Sequence, residues 1–158
     1  MRNSVFYLFA AVLIFGGQFL VSQDLVTGKP PAIEQRTLQN RDALAGVAQG
    51  PALIYFWAGW CGVCRGIQTQ VDKVLRDYPG LTVAERSGDA AEVARYLNER
   101  GLDWPVVNDP DGELGLRYGL RGVPALFFLN RTGRIVFTTV GYTSEWGLRA
   151  RLWLAGLI

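Results

Sequence analysis

The chain contains two cysteines, Cys61 and Cys64, and only two residues separate them. Such a pair can form a redox-active disulfide, in which one thiolate attacks a substrate disulfide and the second thiol releases the product. The sequence predicts that Cys61 lies at the start of a helix, directly after a buried strand. Unpaired backbone N–H groups and the helix dipole stabilise a thiolate there. We therefore expect Cys61 to be the nucleophile and Cys64, one turn deeper, to be the resolving thiol.

The pKa of the nucleophile decides how much thiolate is present near neutral pH. A cysteine with a pKa near 8.5 is only about 3% thiolate at pH 7, whereas a downward shift of about two units makes it roughly 75% thiolate. Arg65 follows the pair and places a positive charge beside it. An equally simple interpretation of Arg65 is a solvated helix arginine.

Other uses of two cysteines fit this chain less well. A purely structural disulfide across so short a loop removes only about 2 kcal/mol of unfolded-state entropy. Zinc needs four ligands, and with no histidine only a dimer sharing four thiolates supplies them. A copper carrier needs further soft ligands, yet Met1 is the only methionine. A peroxidase is disfavoured because its reactive cysteine is usually not paired three residues away. A redox-active disulfide remains, and it requires no metal or organic cofactor.

The predicted secondary structure places the cysteines between a strand and a helix. Residues 52–57 form a continuous apolar run bounded by turn residues, as expected of a central strand buried on both faces of a parallel sheet. From Cys61 onward, apolar residues recur at spacings of three and four until Pro79 and Gly80 end the helix. This inward stripe comprises Val63, Ile67, Val71, Val74, Leu75 and Tyr78.

The other elements alternate before a hairpin closes the sheet. We predict a short helix over residues 40–48, capped by Asn40, and later a final helix capped by Ser144. Between them we predict strands over residues 81–86, 104–107, 125–129 and 135–140, a helix ended by Gly101, and a short helix over 113–118. The inward residues of the last helix are Leu148, Leu152 and Ala155.

The composition indicates one packed domain. The 158 residues are 49% hydrophobic and 19% charged, within the range of globular proteins. The net charge of +2 is small and scattered, so we expect no nucleic-acid partner. The absence of histidine excludes histidine-based catalytic triads and mixed cysteine–histidine zinc sites.

The first 23 residues differ from the rest. No formal charge lies between Arg2 and Asp24, and as a helix residues 4–21 are about 27 Å long, close to the roughly 30 Å hydrocarbon core. A cleaved secretory signal is the alternative, but no Ala-x-Ala site follows. We therefore predict a membrane anchor over 1–23, a linker over 24–31 and a domain over 32–158. The cysteine chemistry favours an oxidising, extracytoplasmic compartment.

Two motifs resemble the thioredoxin superfamily. The sequence FWAGWCGVC at residues 56–64 is similar to its active site, and RYGLRGVP at 117–124 is similar to the segment leading to its cis-proline. Further similarity at 130–134 and 140–141 extends the resemblance over about residues 32–157. It implies a thioredoxin-like α/β fold, with a central mixed sheet flanked by helices. The interval between Cys64 and Pro124 leaves room for an extra helix–strand unit before the cis-proline.

Three features resemble the TlpA/ResA/DsbE branch of this superfamily, namely the extra unit, the anchor and residues 105–112. Within that branch, residues 141–149 are most similar to the suppressor-of-copper-sensitivity D (ScsD) proteins. The resemblance implies a single-pass protein of the bacterial inner membrane whose periplasmic domain reduces or exchanges protein disulfides. A DsbD- or ScsB-type membrane thiol-transfer protein would restore its dithiol, in cytochrome c biogenesis or copper tolerance. Net thiol oxidation, binding of unfolded or apo-cytochrome clients without turnover, and secretion after signal cleavage stay open.

The resemblance also implies the residues around the disulfide. The Val123–Pro124 bond would be cis and lie against the disulfide, where the Val123 backbone pairs with an extended substrate segment. Trp57 and Trp60 would flank the site as an apolar substrate surface, although core packing explains Trp57 equally well. The supporting residues are Gly62, Val63 and Arg65.

Two positions depart from the family pattern. Tyr55 stands where thioredoxins carry a buried aspartate, and Ile67 stands where ResA-like proteins carry a glutamate. The proton acceptor for Cys64 is therefore unassigned. Glu85 or a water is one substitute, and the simpler interpretation of Glu85 is a surface residue.

Overall fold

The structure is a computed structural model that describes residues 24–45, 47 and 50–158. The described residues form five strands, namely β1 (Ala52–Trp57), β2 (Gly80–Glu85), β3 (Val106–Asp109), β4 (Ala125–Leu129) and β5 (Ile135–Val140). They also form four helices, namely α1 (Gly62–Asp77), α2 (Ala90–Arg100), α3 (Glu113–Arg117) and α4 (Glu145–Ala155).

The strands form one mixed sheet in the order β3-β2-β1-β4-β5. β1 lies at its centre and pairs in parallel with β2, which pairs in parallel with β3. β4 runs antiparallel to both β1 and β5. The predicted parallel strands closed by an antiparallel hairpin are confirmed, and β3 with α3 forms the extra unit before Pro124.

Each face of the sheet carries its own core, because alternate strand residues point to opposite sides. We call the side that contains Cys64 the disulfide face; Leu53, Tyr55 and Trp57 of β1 contribute to it and α1, α2 and α4 cover it. On the opposite face, Ile54 and Phe56 pack with α3 and with the N-terminal part of the domain. The disulfide therefore lies over a core that three helices enclose.

Helix ends follow the predicted signals. Ser144 accepts a hydrogen bond from the Gly147 N–H at the start of α4, and the three predicted inward residues of α4 are buried. Gly101 ends α2 in the left-handed conformation, at a φ of 62°. The inward stripe of α1 is confirmed at Ile67, Val71 and Val74. Leu75 and Tyr78 are only half-buried, and Val63 is exposed, because the first turn of α1 extends beyond the core.

Residues 24–31, predicted as a linker, lie against the domain. Leu25 is buried, and the N–H of Val26 donates to the carbonyl of Tyr118 at 3.2 Å. Gly28 forms an antiparallel bridge with Ile135. The folded part of the chain thus includes residues that local patterning assigned to a linker, because their partners lie far away in sequence.

Two further predictions fall partly or wholly outside the described residues. Asn40 has a φ of 57° rather than the extended backbone of a helix cap, and residues 43–45 form turns, so the described part of segment 40–48 contains no helix. The predicted anchor, residues 1–23, lies outside the described residues. Within the described ranges, no helix combines the length and the apolar character that crossing a membrane requires.

Candidate active site

Cys61 and Cys64 form a disulfide at the carboxyl end of β1 and the start of α1. Cys61 is the residue before the helix, and its Sγ accepts a hydrogen bond from the Cys64 N–H at 3.1 Å. Cys61 is 6% exposed, whereas Cys64 is fully buried. Cys61 is therefore the less enclosed of the two cysteines, while Cys64 lies within the core.

The Val123–Pro124 peptide bond is cis, as the resemblance implies. The Cys61 Sγ lies 3.6 Å from the Val123 carbonyl oxygen, so this loop forms one wall of the site. The Pro124 carbonyl accepts a hydrogen bond from the Gly141 N–H at 2.9 Å, which ties the loop to the end of β5. The fold thus brings together two motifs that are distant in sequence.

The two predicted tryptophans have different environments. Trp60 is 63% exposed, and its indole N–H donates to the Arg86 carbonyl at 2.9 Å, which fixes the ring beside the disulfide. Trp57 is buried, with its ring centroid 5.0 Å from Tyr96 and 5.8 Å from Trp104. The prediction that Trp57 flanks the site as a substrate surface is wrong, because its side chain packs in the core of the disulfide face.

Arg65 is exposed, and its guanidinium donates to the Gly59 carbonyl at 3.1 Å. This contact holds a positive charge near the start of α1, whose first turn contains no acidic residue. Gly62 and Val63 are exposed on the same turn. The electrostatic setting therefore favours an anion at Cys61.

The position of the family's buried aspartate carries an uncharged hydroxyl here. Tyr55 is fully buried on the disulfide face, and its hydroxyl has no hydrogen-bond partner among the described residues. Burial raises the pKa of Tyr55, with a smaller contribution from Tyr96, so the phenol stays neutral at physiological pH. Ile67 is fully buried in α1 and supplies no polar group.

Glu85 differs from both sequence-based interpretations. It is only 9% exposed, so the interpretation as a surface residue is wrong. It shares the side of β2 with Leu81 and Val83, which pack on the opposite face, whereas Cys64 lies on the disulfide face. Glu85 therefore lies across the sheet from Cys64 and is poorly placed to accept its proton.

The environment of Glu85 makes its charged form costly. Burial raises the pKa of its carboxyl, the neighbouring Arg86 partly opposes the rise, and Asp109 adds to it. Because side chains alternate along β2, Glu85 points to the opposite face of the sheet. The cover that buries it comes from α3, where a Cβ added to Gly115 would lie 3.3 Å from the Glu85 side chain.

We expect Glu85→Gln to stabilise the fold at pH 7 to 8. Because the folded-state pKa is raised, the ionised carboxyl destabilises the native state above that pKa, and the cost disappears below the ordinary glutamate value, where both states are protonated. The stability gap between variant and wild type should therefore shrink as the pH falls. Urea unfolding of the oxidised protein between pH 4 and 8 measures the gap, with the exposed Glu34→Gln change as charge control. A stability gap that widens toward acid pH would contradict the raised pKa of Glu85.

The mixed sheet, the disulfide at the start of α1 and the cis-proline beside it define a thioredoxin-like protein with a Cys-x-x-Cys site. The Redoxin family model matches residues 29–149, and the chain belongs to this family. Within the thioredoxin superfamily it lies in the DsbE/ResA-like branch and is a thiol-disulfide oxidoreductase. The closer similarity to ScsD proteins stays a prediction.

Named relatives support this assignment. A thioredoxin-like protein of Haemophilus influenzae is 36% identical over 132 residues, which cover 80% of this chain and 78% of that protein. The thiol:disulfide interchange protein DsbE of Pseudomonas fluorescens biotype C is 30% identical over 146 residues, covering 88% and 82%. A secreted Mycobacterium tuberculosis disulfide oxidoreductase homologous to Escherichia coli DsbE has the same fold, with a TM-score of 0.64, 22% identity and coverage of 76% and 93%.

Proposed function

We propose that the protein is a membrane-anchored periplasmic reductase of protein disulfides. The Cys61 thiolate attacks a substrate disulfide, which forms a Cys61–substrate disulfide and releases one substrate thiol. The Cys64 thiolate then attacks Cys61, which restores the Cys61–Cys64 disulfide and releases the second substrate thiol. The observation that carries this proposal is the Cys61 sulfur at the start of a helix and beside the Val123 carbonyl, with Cys64 the more deeply buried of the two cysteines.

The neighbouring residues position the substrate. An extended substrate segment pairs with the backbone at Val123, and Pro124 presents no N–H that needs a partner there. The exposed Trp60 ring offers apolar contact area next to Cys61. The exposed first turn of α1 contains Gly62, Val63 and Arg65. The dipole of this helix start and the charge of Arg65 stabilise the Cys61 thiolate.

A membrane anchor is supported by the apolar character of residues 1–23, and an extracytoplasmic domain is supported by a similar protein that is described as secreted. Asp24, the residue that follows this segment, makes an ion pair with Arg121 at 2.6 Å, three residues before Pro124. An anchor that ends at residue 23 therefore holds the disulfide close to the bilayer. This arrangement suits regeneration by a membrane thiol-transfer protein of the DsbD or ScsB type, whose dithiol supplies the two electrons.

The direction of electron flow depends on how strongly the reduced state is stabilised. Among the described residues, the Cys64 N–H is the one hydrogen-bond donor at the Cys61 Sγ, and the Arg65 guanidinium bonds to Gly59 instead. A modestly stabilised thiolate favours a reducing couple. We therefore expect a reduction potential nearer to about −270 mV, as in thioredoxin, than to about −120 mV, as in the oxidant DsbA.

The potential is measured with the full chain in detergent. The protein is equilibrated in dithiothreitol buffers of defined potential, and thiol alkylation gives the fraction reduced. A value near that of DsbA would show a net thiol oxidase and overturn the proposed direction, while leaving exchange activity intact. A reducing value, together with reduction of the protein by a DsbD-type partner, supports the proposal.

A further inference from the structure

A small cavity of about 130 Å³ lies between the residue that precedes Cys61 and the loop that precedes Val123, on the side of the sheet to which Glu85 points. We call it the Glu85 pocket. Its apolar walls are Trp60, Leu116 and Leu120, and its polar walls are Glu85, Arg86 and Arg121. Gly122 also borders it, so the pocket is lined by the residues immediately before Cys61 and before Val123. A substrate segment that lies across these two residues therefore passes the mouth of the pocket.

Among the described residues, the Glu85 carboxylate has one ion pair, with the Arg86 guanidinium at 3.5 Å, which is beyond the 2.7–2.9 Å of a charge-assisted hydrogen bond. Besides burial, the Asp109 carboxylate also acts on Glu85 and raises its pKa. Arg86 is half exposed and also lies near the Asp111 carbonyl, at 3.4 Å from its Nε. Arg121 is paired with Asp24. The pocket thus contains a largely buried carboxylate that accepts no hydrogen bond from the described residues and retains only a loose ion pair.

This combination of walls fits one kind of side chain. A lysine has a methylene stem that packs along Trp60 and Leu116, and an ammonium that can approach Glu85 to charge-assisted distance. A volume of about 130 Å³ holds roughly four groups the size of a water molecule, which is the end of one side chain. A substrate carboxylate would be attracted by Arg86 and Arg121, but Arg121 is paired with Asp24 and Arg86 lies 3.5 Å from Glu85, so the anion would have to compete with two carboxylates already present. An aliphatic side chain would leave Glu85 without a closer partner.

We propose that the Glu85 pocket is a substrate subsite that binds a lysine side chain close to the attacked cysteine, with Glu85 as the specificity-determining residue. This inference rests on the proposed reduction of protein disulfides. Trp60 and Gly122, the residues before Cys61 and Val123, border the pocket, and extended residues are spaced about 3.3 Å apart, so we expect the lysine within about two residues of the cysteine. Glu85 acts on binding and takes no part in electron transfer.

The experiment compares peptides that differ at one side chain. Each carries one cysteine in a mixed disulfide with a small thiol, and lysine or norleucine stands one or two residues before or after the cysteine. A norleucine peptide with its lysine six residues away controls for net charge. The fully reduced full chain in detergent is mixed with each peptide, and the second-order rate constant of reduction is followed by tryptophan fluorescence.

We expect at least one near-lysine peptide to react about tenfold faster than its norleucine counterpart and than the distant-lysine control. The Glu85→Gln variant should lower this ratio toward one, whereas Glu34→Gln, which removes an exposed charge elsewhere, should retain it. Protonation of Glu85 removes the attraction, so the ratio should also fall at acid pH.

Equal rates for lysine and norleucine at all four positions would overturn the subsite. Retention of the preference in Glu85→Gln would overturn the role of Glu85. Either result leaves the proposed function in place, because the peptides are still reduced. If no peptide is reduced at all, the proposed reductase function fails, and the lysine subsite fails with it.

Discussion

Replacing Cys64 with serine is expected to convert the enzyme into a covalent trap, with turnover reduced by at least about a thousandfold. Cys61 still attacks the substrate disulfide, because it is the less enclosed cysteine and lies at the start of α1. The resolving thiol is missing, so the Cys61–substrate disulfide persists. Non-reducing electrophoresis of the full chain, expressed with its natural partners, should show mixed disulfides that a reductant removes.

The matched control is Cys61→Ser, which retains the fully buried Cys64 and removes the less enclosed cysteine. It should form few mixed disulfides and have no turnover, because Cys64 is fully enclosed. Equal trapping by both variants would contradict the assignment of the nucleophile. Binding of clients by the double variant Cys61→Ser/Cys64→Ser, with no turnover in the wild type, would instead favour a binding module.

The Cys64→Ser variant also reports the acidity of the nucleophile, since Cys61 is then the only cysteine. We expect its pKa to lie below the ordinary value of about 8.5, because the dipole of α1 and the hydrogen bond from the residue-64 N–H stabilise the thiolate. The rate of alkylation by iodoacetamide as a function of pH measures this pKa. A thiol that stays neutral up to pH 9 would contradict the mechanism.

Local sequence patterns predict the helices and strands correctly where residues close together in sequence determine the structure. The apolar run of β1, the spacing along α1 and the Ser144 cap of α4 all depend on residues within one or two turns, and the structure confirms each of them. The placement of Cys61 at a helix start follows from the same local signals. The cis geometry at Val123–Pro124 came from the family resemblance, since nothing in the local sequence requires it.

Sequence patterns failed where burial depends on distant segments. Glu85 resembles an exposed strand end until α3, nearly thirty residues later, covers it. Trp57 is enclosed by Tyr96 of α2 and by Trp104, which precedes β3. Residues 24–31 resemble a linker because Pro30 and Pro31 break local structure. Gly28 nevertheless pairs with Ile135 of β5, which is distant in sequence.

Replacing Phe127 with alanine is expected to lower the free energy of unfolding by about 3–5 kcal/mol. Phe127 lies on β4 at the centre of the opposite face and is fully buried. Its ring centroid lies 5.6 Å from Phe56 and 5.1 Å from Tyr118, in edge-to-face arrangements. Alanine leaves a cavity among these rings, and a typical domain has only about 5–15 kcal/mol of total stability.

The same aromatic cluster supports the active-site loop. Tyr118 begins the segment that leads to Val123, and its hydroxyl donates to the Pro31 carbonyl at 3.0 Å. Loss of the Phe127 ring removes the surface on which Tyr118 packs, so the loop beside Cys61 should loosen along with the global fold. Urea unfolding of the oxidised protein measures the loss of stability, and hydrogen exchange across residues 118–124 measures the local effect.

Two variants control this experiment. Phe127→Leu retains most of the volume and should cost less than about 1.5 kcal/mol. Phe137→Ala makes the same chemical change on β5, where the side chain is only half-buried, so it removes fewer contacts. A Phe127→Ala variant no less stable than Phe137→Ala would show that the opposite face does not depend on this ring. The loop beside Cys61 would then need another source of rigidity.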